Sequence, residues 1–511
     1  MAINIVAKLL GGVELIEGNQ GSSSEETQSK KESRLTKSND LGENHKDLPE
    51  LEYRSYFKRF LHHDMVGSGF LLIAALAAVI VANSSLADKY HHFWETSFGF
   101  SVGEGGGFAK SLHHWVNDGL MAIFFFLVGL EIKRELLAGE LNSVRKAILP
   151  AAAAIGGMVI PALFYFIFNG KDATSAGWGI PMATDIAFAA GCIALLKKWV
   201  PPALMVFLVA LAIVDDLGAV AVIALFYTDK IDFAPLIVGG GLITISFCMG
   251  QLGVRRTSPY VIVGILVWFA FLQSGIHATI AGVLLAFTIP HTSRYHTYNF
   301  RGRMQELLNR FDKAEDLWDP SLDVVETELK DLMVNHPQQE LIRDLTQECH
   351  YVESPLQRIE HSIEPLSVFI IMPIFAFANA GVHLNLSYAT EVLMEPISLG
   401  IISGLVIGKP LGILLASYIM VKIGLASLPR GVGWAQIVGV GFLAGIGFTM
   451  SLFVNELAFK GVEDAHAMEQ YIASGKIGIF VASILSAILG LVCLKLTCKT
   501  QQKSHMTHYE K

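Results

Sequence analysis

The chain has 511 residues, of which 52% are hydrophobic and only 16% are charged, and its mean hydropathy is +0.48. Soluble globular proteins carry roughly 25% charged residues, so this composition excludes an ordinary soluble protein and predicts a polytopic membrane protein. The net charge of −8 is less informative, because the acidic residues are concentrated in two hydrophilic segments, and we expect no nucleic-acid partner.

The first 55 residues are predicted to form a polar, disordered extension without a signal peptide. The stretch QGSSSEETQSKKESRLTKSNDLGENHKD (20–47) is charged and serine-rich and has no core-forming pattern. Transmembrane helices 1–8 are then predicted within 56–290 and helices 9–12 within 362–498. The twelve apolar stretches lie near 66–84, 115–132, 147–168, 177–196, 203–227, 234–252, 259–273, 276–290, 366–384, 396–421, 435–457 and 474–497.

The distribution of basic residues predicts the orientation of the chain, because cytoplasmic loops carry an excess of Lys and Arg. With twelve crossings, all the larger basic clusters fall on one side of the membrane. We therefore expect both termini to lie in the cytoplasm. The clusters are Arg54, Lys58 and Arg59; Lys133, Arg134, Arg145 and Lys146; Lys197 and Lys198; Arg255 and Arg256; Lys422 and Arg430; and Lys495, Lys499 and Lys503.

Two further hydrophilic segments complete the predicted organisation. Residues 291–361 form an insert whose stretches RMQELLNRFDKAEDLW and VETELKDLMV space Leu, Met and Phe as in a helix. We interpret this insert as a charged, helical cytoplasmic subdomain. Residues 499–511 are predicted to form a cytoplasmic tail.

Four ionisable residues are predicted near the middle of the membrane. They are Asp185 in PMATDIAFAA, the adjacent Asp215 and Asp216 in LAIVDDLGAV, and Lys409 in LVIGKPLGIL. A charge at this depth costs roughly 2.5–3.5 kcal/mol on insertion scales, so each needs a partner or a water-filled cavity. Buried salt bridges that fix helix packing are one explanation. However, one lysine cannot neutralise three carboxylates, so at least two of them require a proton or a metal cation.

The residues at this site favour a small hard cation. Carboxylates, the Thr184 hydroxyl and backbone carbonyls are oxygen ligands that suit Na⁺ or Li⁺ and are poor ligands for soft metals. Adjacent residues on a helix point about 100° apart, so Asp215 and Asp216 are expected to have different roles, with Lys409 pairing with one of them. Competition between a proton and a cation for the same carboxylate is sufficient for antiport.

Two of the predicted spans contain helix-breaking residues in a matching way. The fourth, GWGIPMATDIAFAAGCIALL, has Pro181 before Thr184 and Asp185, and the eleventh, IVGVGFLAGIGFTMSLF, contains four closely spaced glycines. This pattern is typical of discontinuous helices in transporters, and there Asp185 would compensate the positive N-terminal ends of half-helices. The glycines are equally consistent with close helix packing.

Seven collinear motifs resemble the NhaA family of bacterial sodium/proton antiporters, over about residues 57–495. This family is itself one of the transporter families in which such broken helices are described. The motifs are NDGLMAIFFFLVGLEIKREL (117–136), ATDIAFA (183–189), LAIVDDLGAVAVIALFYT (211–228), GVRRTSPYVIVG (253–264), FAFANAGV (375–382), GKPLGI (408–413) and GIGFTMSLF (445–453).

The resemblance implies an all-α protein of twelve transmembrane helices with inverted-topology repeats and two broken, crossing helices. It also implies electrogenic, pH-regulated exchange of two H⁺ for one Na⁺ or Li⁺ across the bacterial inner membrane. It implies no cofactor and no enzymatic activity, and it implies that two copies of the chain form a homodimer. By position, Asp216 resembles the principal cation and proton ligand. Asp215 resembles the neighbour that pairs with Lys409, and Thr184 and Asp185 match the residues at the helix crossing.

The resemblance further implies a pH-sensing cluster at the cytoplasmic end. Glu131 and Glu135 in GLEIKREL match one half of this cluster and lie on one helical face. Arg358, Glu360 and His361 in LQRIEHSIEP match the other half, although Glu364 replaces a second histidine of that motif. A solvated helix end is the alternative interpretation of the residues around Glu131. The long insert and the polar extension also depart from the family pattern.

Other function classes explain the charges less well. A membrane aspartyl protease would need a GxGD context, and a prenyl-transfer enzyme would need a DDxxD run, whereas the residues after Asp216 are LGAV. No filter-like repeat indicates an ion channel, and an interior lysine would impede cation flow. A pH sensor without transport would leave the surplus carboxylates unexplained.

Overall fold

The computed structural model describes residues 64–102, 106–170, 173–228, 231–293, 297–316, 336–382 and 389–509. The predicted extension 1–55 and the predicted helical stretch 325–334 lie outside these residues. Helices dominate the described chain, and the strands β1 (Ser97–Val102) and β2 (Gly106–Ser111) form an antiparallel hairpin. The predicted all-α polytopic membrane fold is confirmed.

Before the insert, the described residues form nine helices and one 3₁₀ segment. Their bounds are α1 Asp64–Ala82, α2 Ala87–Glu95, α3 Leu112–Ala138, α4 Val144–Asn169, the 3₁₀ segment Ala173–Met182, α5 Ile186–Leu195, α6 Pro202–Phe226, α7 Phe233–Gln251, α8 Ser258–Ser274 and α9 Ala278–Thr288.

The insert and the last part of the chain supply the other helices. Their bounds are α10 Thr297–Asp316, α11 His336–Val352, α12 Pro355–Asn379, α13 Ala389–Met394, α14 Pro396–Lys422, α15 Trp434–Ala444, α16 Phe448–Phe459 and α17 Ala465–Tyr509. Helices α10 and α11 belong to one compact unit, Ser293–Glu353, and the other helices belong to a second, Asp64–Thr292 with Ser354–Lys511.

The described residues contain eight helices that are long and apolar enough to cross a membrane. The number is ten if the bent pairs α1/α2 and α15/α16 each count as one span, with bends of 113° and 51°. Helices α8 and α9 have 17 and 11 residues and are the two short spans that the sequence predicted. They are separate helices, because Gly275 between them adopts φ 81° and His277 caps α9. The described residues therefore contain eight to ten candidate spans and these two shorter apolar helices.

The ends of two predicted segments differ from the observed helix ends. The predicted insert runs to 361, whereas α12 begins at Pro355 behind a capping box formed by Ser354 and Gln357. The predicted tail begins at 499, whereas α17 continues as a helix to Tyr509. The assignment of these segments to the cytoplasm stays a prediction.

Helices α4 and α14 cross in backbone contact, which fixes the helix that carries Lys409. At the crossing, Gly156 faces Gly412, and a Cβ atom on either glycine would overlap the carbonyl oxygen of the other. Small residues at such crossings allow two membrane helices to approach closely. The position of α14 therefore depends on the absence of side chains at these two residues.

We expect Gly412→Ala to lower the melting temperature of the purified protein and reduce its yield in membranes, because the helices must separate to admit the methyl group. Overpacking of this kind typically costs about 1–3 kcal/mol. The matched control is Gly240→Ala on α7, where a Cβ would meet nothing within 4 Å. Since alanine favours helix by about 1 kcal/mol over glycine, the control should be neutral or stabilising. Equal melting temperatures for the two variants would contradict the tight crossing.

Candidate functional site

The two predicted broken spans meet at their breaks. The fourth span changes from the 3₁₀ segment to α5 across residues 183–185, and the eleventh is interrupted at 445–447 between α15 and α16. The Asp185 N–H donates to the Ile446 carbonyl at 2.7 Å, and the Thr184 hydroxyl donates to the Ala444 carbonyl at 2.9 Å. Backbone groups that the breaks release from helical bonding are thus satisfied by the other break.

Both interpretations of the glycines in the eleventh span are correct, at different positions. Gly445 and Gly447 form the break itself. Gly441 lies within α15, where a Cβ would come within 2.8 Å of the Pro410 Cα on α14. The same short stretch therefore breaks a helix and allows it to pack tightly beside Lys409.

Asp185 caps two half-helices at once. Its Oδ1 accepts from the Phe188 N–H at 3.1 Å, at the start of α5, and its Oδ2 accepts from the Thr449 N–H at 3.1 Å, at the start of α16. The Thr449 hydroxyl also donates to Oδ2. Each helix N-terminus carries roughly half a positive charge, so two of them offset about one carboxylate charge. Helix ends, rather than a lysine, are the main compensation for this charge.

We expect Asp185→Ala to destabilise the protein by about 1–4 kcal/mol, because the loss of each cap costs about 0.5–2 kcal/mol. Asp185→Asn should lose less, since asparagine is also a preferred cap and keeps an acceptor oxygen. Thermal unfolding of the purified variants in one detergent would measure both effects. A smaller loss for alanine than for asparagine would show that the caps do not stabilise the crossing.

Asp215 forms the predicted pair with Lys409. The Lys409 ammonium, which is fully buried, donates to Asp215 Oδ2 at 2.7 Å and to the Met182 carbonyl. The Thr184 hydroxyl also donates to Oδ2, at 2.5 Å. Since this hydroxyl has one proton, it can serve either Asp215 or the Ala444 carbonyl at a given moment. Thr184 therefore links the charged pair to the helix crossing.

Asp216 has neither a hydrogen bond nor an ion pair among the described residues. Its side chain is 1% exposed, and both carboxylate oxygens are buried without a hydrogen-bond partner. The charges that interact with it are Asp215, Glu131, Asp185 and Lys409, three of them acidic. A buried, unpaired carboxylate is strongly unfavourable, so it must bind a proton or a cation.

Three carboxylate oxygens at this position are unpartnered: both of Asp216 and Oδ1 of Asp215. They are hard oxygen donors, which suit a small hard cation such as Na⁺. In the described ranges, no group of three or more His, Cys, Asp or Glu side chains is arranged to hold a metal ion. The site thus offers two adjacent carboxylates on one helix.

A π-helical turn precedes Lys409 and helps to position it. Helix α14 contains the turn Gly404–Gly408, and Lys409 begins the next α-helical section. Such turns shift the register of a helix and occur frequently at functional sites. Asp215 and Asp216 instead lie on the uninterrupted helix α6, where their different orientations give one the lysine and leave the other unpaired.

Part of the predicted pH-sensing cluster comes together near the C-terminal end of α3. Arg134 forms an ion pair with Glu360 of α12 and lies 3.4 Å from Glu135. Glu131 interacts electrostatically with Glu360, Arg134 and Glu135, and also with Asp216. Arg134, which was not among the predicted sensing residues, is the cation that joins them.

The other two predicted sensing residues have different surroundings. The Arg358 guanidinium donates to the Arg255 carbonyl at 2.5 Å rather than to a carboxylate of the cluster. His361 is exposed and interacts electrostatically with Glu360. The geometry therefore places Glu131, Arg134, Glu135 and Glu360 together, with His361 beside them.

Sequence reasoning missed two charged groups near the ends of the spans. Asp118 lies in a second π-helical turn, between His114 at 3.0 Å and His277 at 3.2 Å. Glu456 on α16 pairs with Lys476 on α17 at 2.9 Å. The spacing of His114 and Asp118, four residues apart in a predicted helix, is the one signal that could have indicated a pair. The other contacts join distant parts of the chain.

Comparison with known proteins supports the resemblance. Residues 58–494 match the model of the family described as Na⁺/H⁺ antiporter 1. The chain is 44% identical over 448 residues to "Na(+)/H(+) antiporter NhaA" of Sulfurimonas denitrificans, covering 87% of this chain and 96% of the relative. It is 46% identical over 438 residues to "Na(+)/H(+) antiporter NhaA 1" of Saccharophagus degradans, covering 86% and 90%. "Na(+)/H(+) antiporter NhaA" of Helicobacter pylori strain J99 is 45% identical over 438 residues, covering 86% and 94%.

Proposed function

The chain belongs to the NhaA family of Na⁺/H⁺ antiporters, and on this basis we propose that it extrudes Na⁺, and also Li⁺, in exchange for H⁺. The family relatives carry the names of transporters and not of enzymes. The observation that supports the proposal most strongly is Asp216, a buried carboxylate without a hydrogen-bond partner among the described residues, directly after the aspartate that pairs with Lys409. Its role is to bind a proton and a cation alternately.

Competition for Asp216 couples the two fluxes. A protonated carboxylate has lost the negative charge that attracts Na⁺. A carboxylate that binds Na⁺ has a lower affinity for a proton, because the cation stabilises its ionised form. The unpartnered Oδ1 of Asp215 supplies an additional ligand for the cation. If the loaded site opens to one side of the membrane at a time, proton entry drives Na⁺ exit. Each bound ion also relieves the cost of the buried charge.

The Lys409–Asp215 pair is the proposed source of the second proton. Na⁺ binding near Asp215 weakens its attraction for the Lys409 ammonium, because both cations compete for one carboxylate. Lys409 then releases a proton as Na⁺ enters, which gives two H⁺ for one Na⁺. These groups interact strongly, so the two protons belong to the group as a whole and not to single residues.

The cluster of Glu131, Arg134, Glu135 and Glu360, with His361, is the proposed pH regulator. It is joined electrostatically to Asp216 through Glu131. Protonation of one carboxylate of the cluster would change the electrostatic potential both within the cluster and at Asp216. Arg358 contributes by holding the start of α12 to the Arg255 backbone.

The proposed setting is the bacterial inner membrane, with both termini and the insert 291–361 in the cytoplasm. The clusters of Lys and Arg on one side of the spans support this orientation. The proposed partners are Na⁺, Li⁺, H⁺ and the lipid bilayer, with a second copy of the chain in a homodimer. The transported ions are cargo, and no cofactor takes part.

Everted membrane vesicles from cells without their own antiporters provide the test. Respiration acidifies the vesicle lumen, and Na⁺ or Li⁺ added outside should collapse this pH gradient, whereas K⁺ should not. The absence of any response to Na⁺ across about pH 6.5 to 9, in vesicles that contain the protein, would overturn the proposed function. A larger response in vesicles that hold an imposed membrane potential would support unequal charge exchange.

A further inference from the structure

A cavity of about 370 Å³ lies at the end of the spans that is remote from the basic clusters. It is bounded by the start of α3, the end of α6, the connection between α8 and α9, and the end of α16. The titratable residues that line it are Lys110, His114, Asp118, Tyr227, His277 and Lys460.

The position of the cavity along the helices indicates the outer side of the membrane. Helix α3 starts at the cavity and carries Lys133 and Arg134 near its other end. Helix α6 ends at the cavity and begins just after Lys197 and Lys198. Helix α8 ends there and begins just after Arg255 and Arg256. Since basic residues favour the cytoplasmic side, all three helices place the cavity outside.

The floor of the cavity carries Asp118, which is 7% exposed. Asp118 Oδ2 lies 3.0 Å from His114 Nδ1, and Oδ1 lies 3.2 Å from His277 Nε2. The Thr279 N–H donates to His277 Nδ1, so His277 Nε2 carries the proton directed at Asp118. The carboxylate is held by two imidazole donors and also interacts electrostatically with Lys460.

Two exposed lysines, Lys110 on β2 and Lys460 after α16, give the cavity an excess of positive charge. With neutral histidines, they and Asp118 leave a net charge of +1 among its described lining residues. Asp216 lies ten residues before the end of α6, which corresponds to about 15 Å along the helix axis. Because both lysines are exposed, water and salt weaken their effect over such a distance, whereas ions inside the cavity lie much closer to them.

We propose that this cavity is the outer vestibule through which the cation leaves, and that Lys110 and Lys460 oppose its re-entry while Asp118 favours it. This inference rests on the proposed antiport. The vestibule charge sets the local Na⁺ concentration at the outer mouth of the path, and therefore the outer KM for Na⁺. A net positive vestibule makes the exchanger asymmetric, with a higher KM outside than the central site alone would give.

The expected size of the effect follows from Coulomb's law. A unit charge roughly 7–8 Å from a cation in water changes its local concentration by about twofold at low ionic strength. Lys460→Gln or Lys110→Gln should each lower the outer KM about twofold, and the double variant about fourfold. Asp118→Asn should raise the outer KM by a similar factor. This shift in the opposite direction separates an electrostatic role from general damage.

The experiment compares the two faces of the same protein. Initial ²²Na⁺ uptake into right-side-out vesicles with an acidic lumen gives the outer KM, and uptake into everted vesicles gives the inner KM. Measurements at about pH 8.5 keep histidines generally neutral. A repeat with choline chloride at about 1 M shortens the Debye length to about 3 Å and should remove most of the differences.

We expect the outer KM to fall in the order Asp118→Asn, wild type, single lysine variants, double lysine variant, with the inner KM unchanged. An outer KM that is equal in wild type and the lysine variants, or an inner KM that shifts in parallel, would overturn the inference. In that case the proposed antiport would still stand, because the wild type would still exchange Na⁺ for H⁺. Wild-type vesicles without exchange would instead refute the proposed function and the inference together.

Discussion

Asp216→Asn is expected to abolish Na⁺-dependent proton movement while the protein remains folded. Asparagine has the same shape but can neither take up a proton in this pH range nor offer a negative charge to Na⁺. The side chain makes no hydrogen bond with any described residue, so its replacement by an amide of the same shape breaks no hydrogen bond. Because an unpaired buried carboxylate is unfavourable, the variant should be at least as thermally stable as the wild type in the absence of Na⁺.

Two measurements separate transport from folding in this variant. The first is the collapse of the pH gradient in everted vesicles, with exposed Asp88→Asn as the matched control. The second is the rise in melting temperature on adding Na⁺, since a ligand at 100 times its Kd stabilises by about 2.7 kcal/mol. Wild type and Asp88→Asn should show both effects, and Asp216→Asn neither. Retained exchange in Asp216→Asn would transfer the role of ligand to another residue.

The sequence could predict those parts of the site that follow from the energetic cost of placing a charge inside the membrane. A carboxylate in a long apolar stretch is expensive wherever its neighbours lie, so Asp185, Asp215, Asp216 and Lys409 could be identified without a structure. The lysine could also be paired in advance, because few cations lie at that depth. The breaks in the fourth and eleventh spans were likewise visible in Pro181 and the clustered glycines.

How each charge is compensated depended on contacts between distant segments. The charge count required a proton or a cation for at least two aspartates, but two helix N-termini meet the charge of Asp185. A sequence does not reveal that Thr449, 264 residues further on, starts a half-helix beside Asp185. Asp216 therefore stands alone as the carboxylate without local compensation.

Hydrophobicity predicted the positions of the spans well. The ends of the helices were predicted less accurately where a capping residue determines them. The seventh and eighth spans could be separated only weakly, because LQSGIH is short, whereas the structure turns at Gly275 and caps α9 with His277. The start of α12 was placed too late, since a capping box at Ser354 begins the helix inside a polar sequence. Arg134 and Asp118 were passed over because one partner of each, Glu360 and His277 respectively, lies in a distant part of the chain.

Replacing only one residue of the Lys409–Asp215 pair should destabilise the protein more than replacing both residues. Lys409→Met leaves a carboxylate at 1% exposure with the Thr184 hydroxyl as its hydrogen-bond donor. The loss of one partner of a buried pair typically costs about 3–5 kcal/mol. The double variant Lys409→Met/Asp215→Asn removes both charges and should recover most of this loss, because replacement of an entire buried pair is often close to neutral.

Thermal unfolding of the wild type, Lys409→Met, Asp215→Asn and the double variant in one detergent forms a double-mutant cycle. We expect a large coupling energy that stabilises the protein when both charged residues are present. Transport gives an independent measure. If the pair supplies the second proton, the double variant retains Asp216 and should exchange one H⁺ for one Na⁺, so an imposed membrane potential no longer changes its rate. A double variant as unstable as Lys409→Met would contradict the pairing, and exchange that still responds to the potential would place the second proton on another residue.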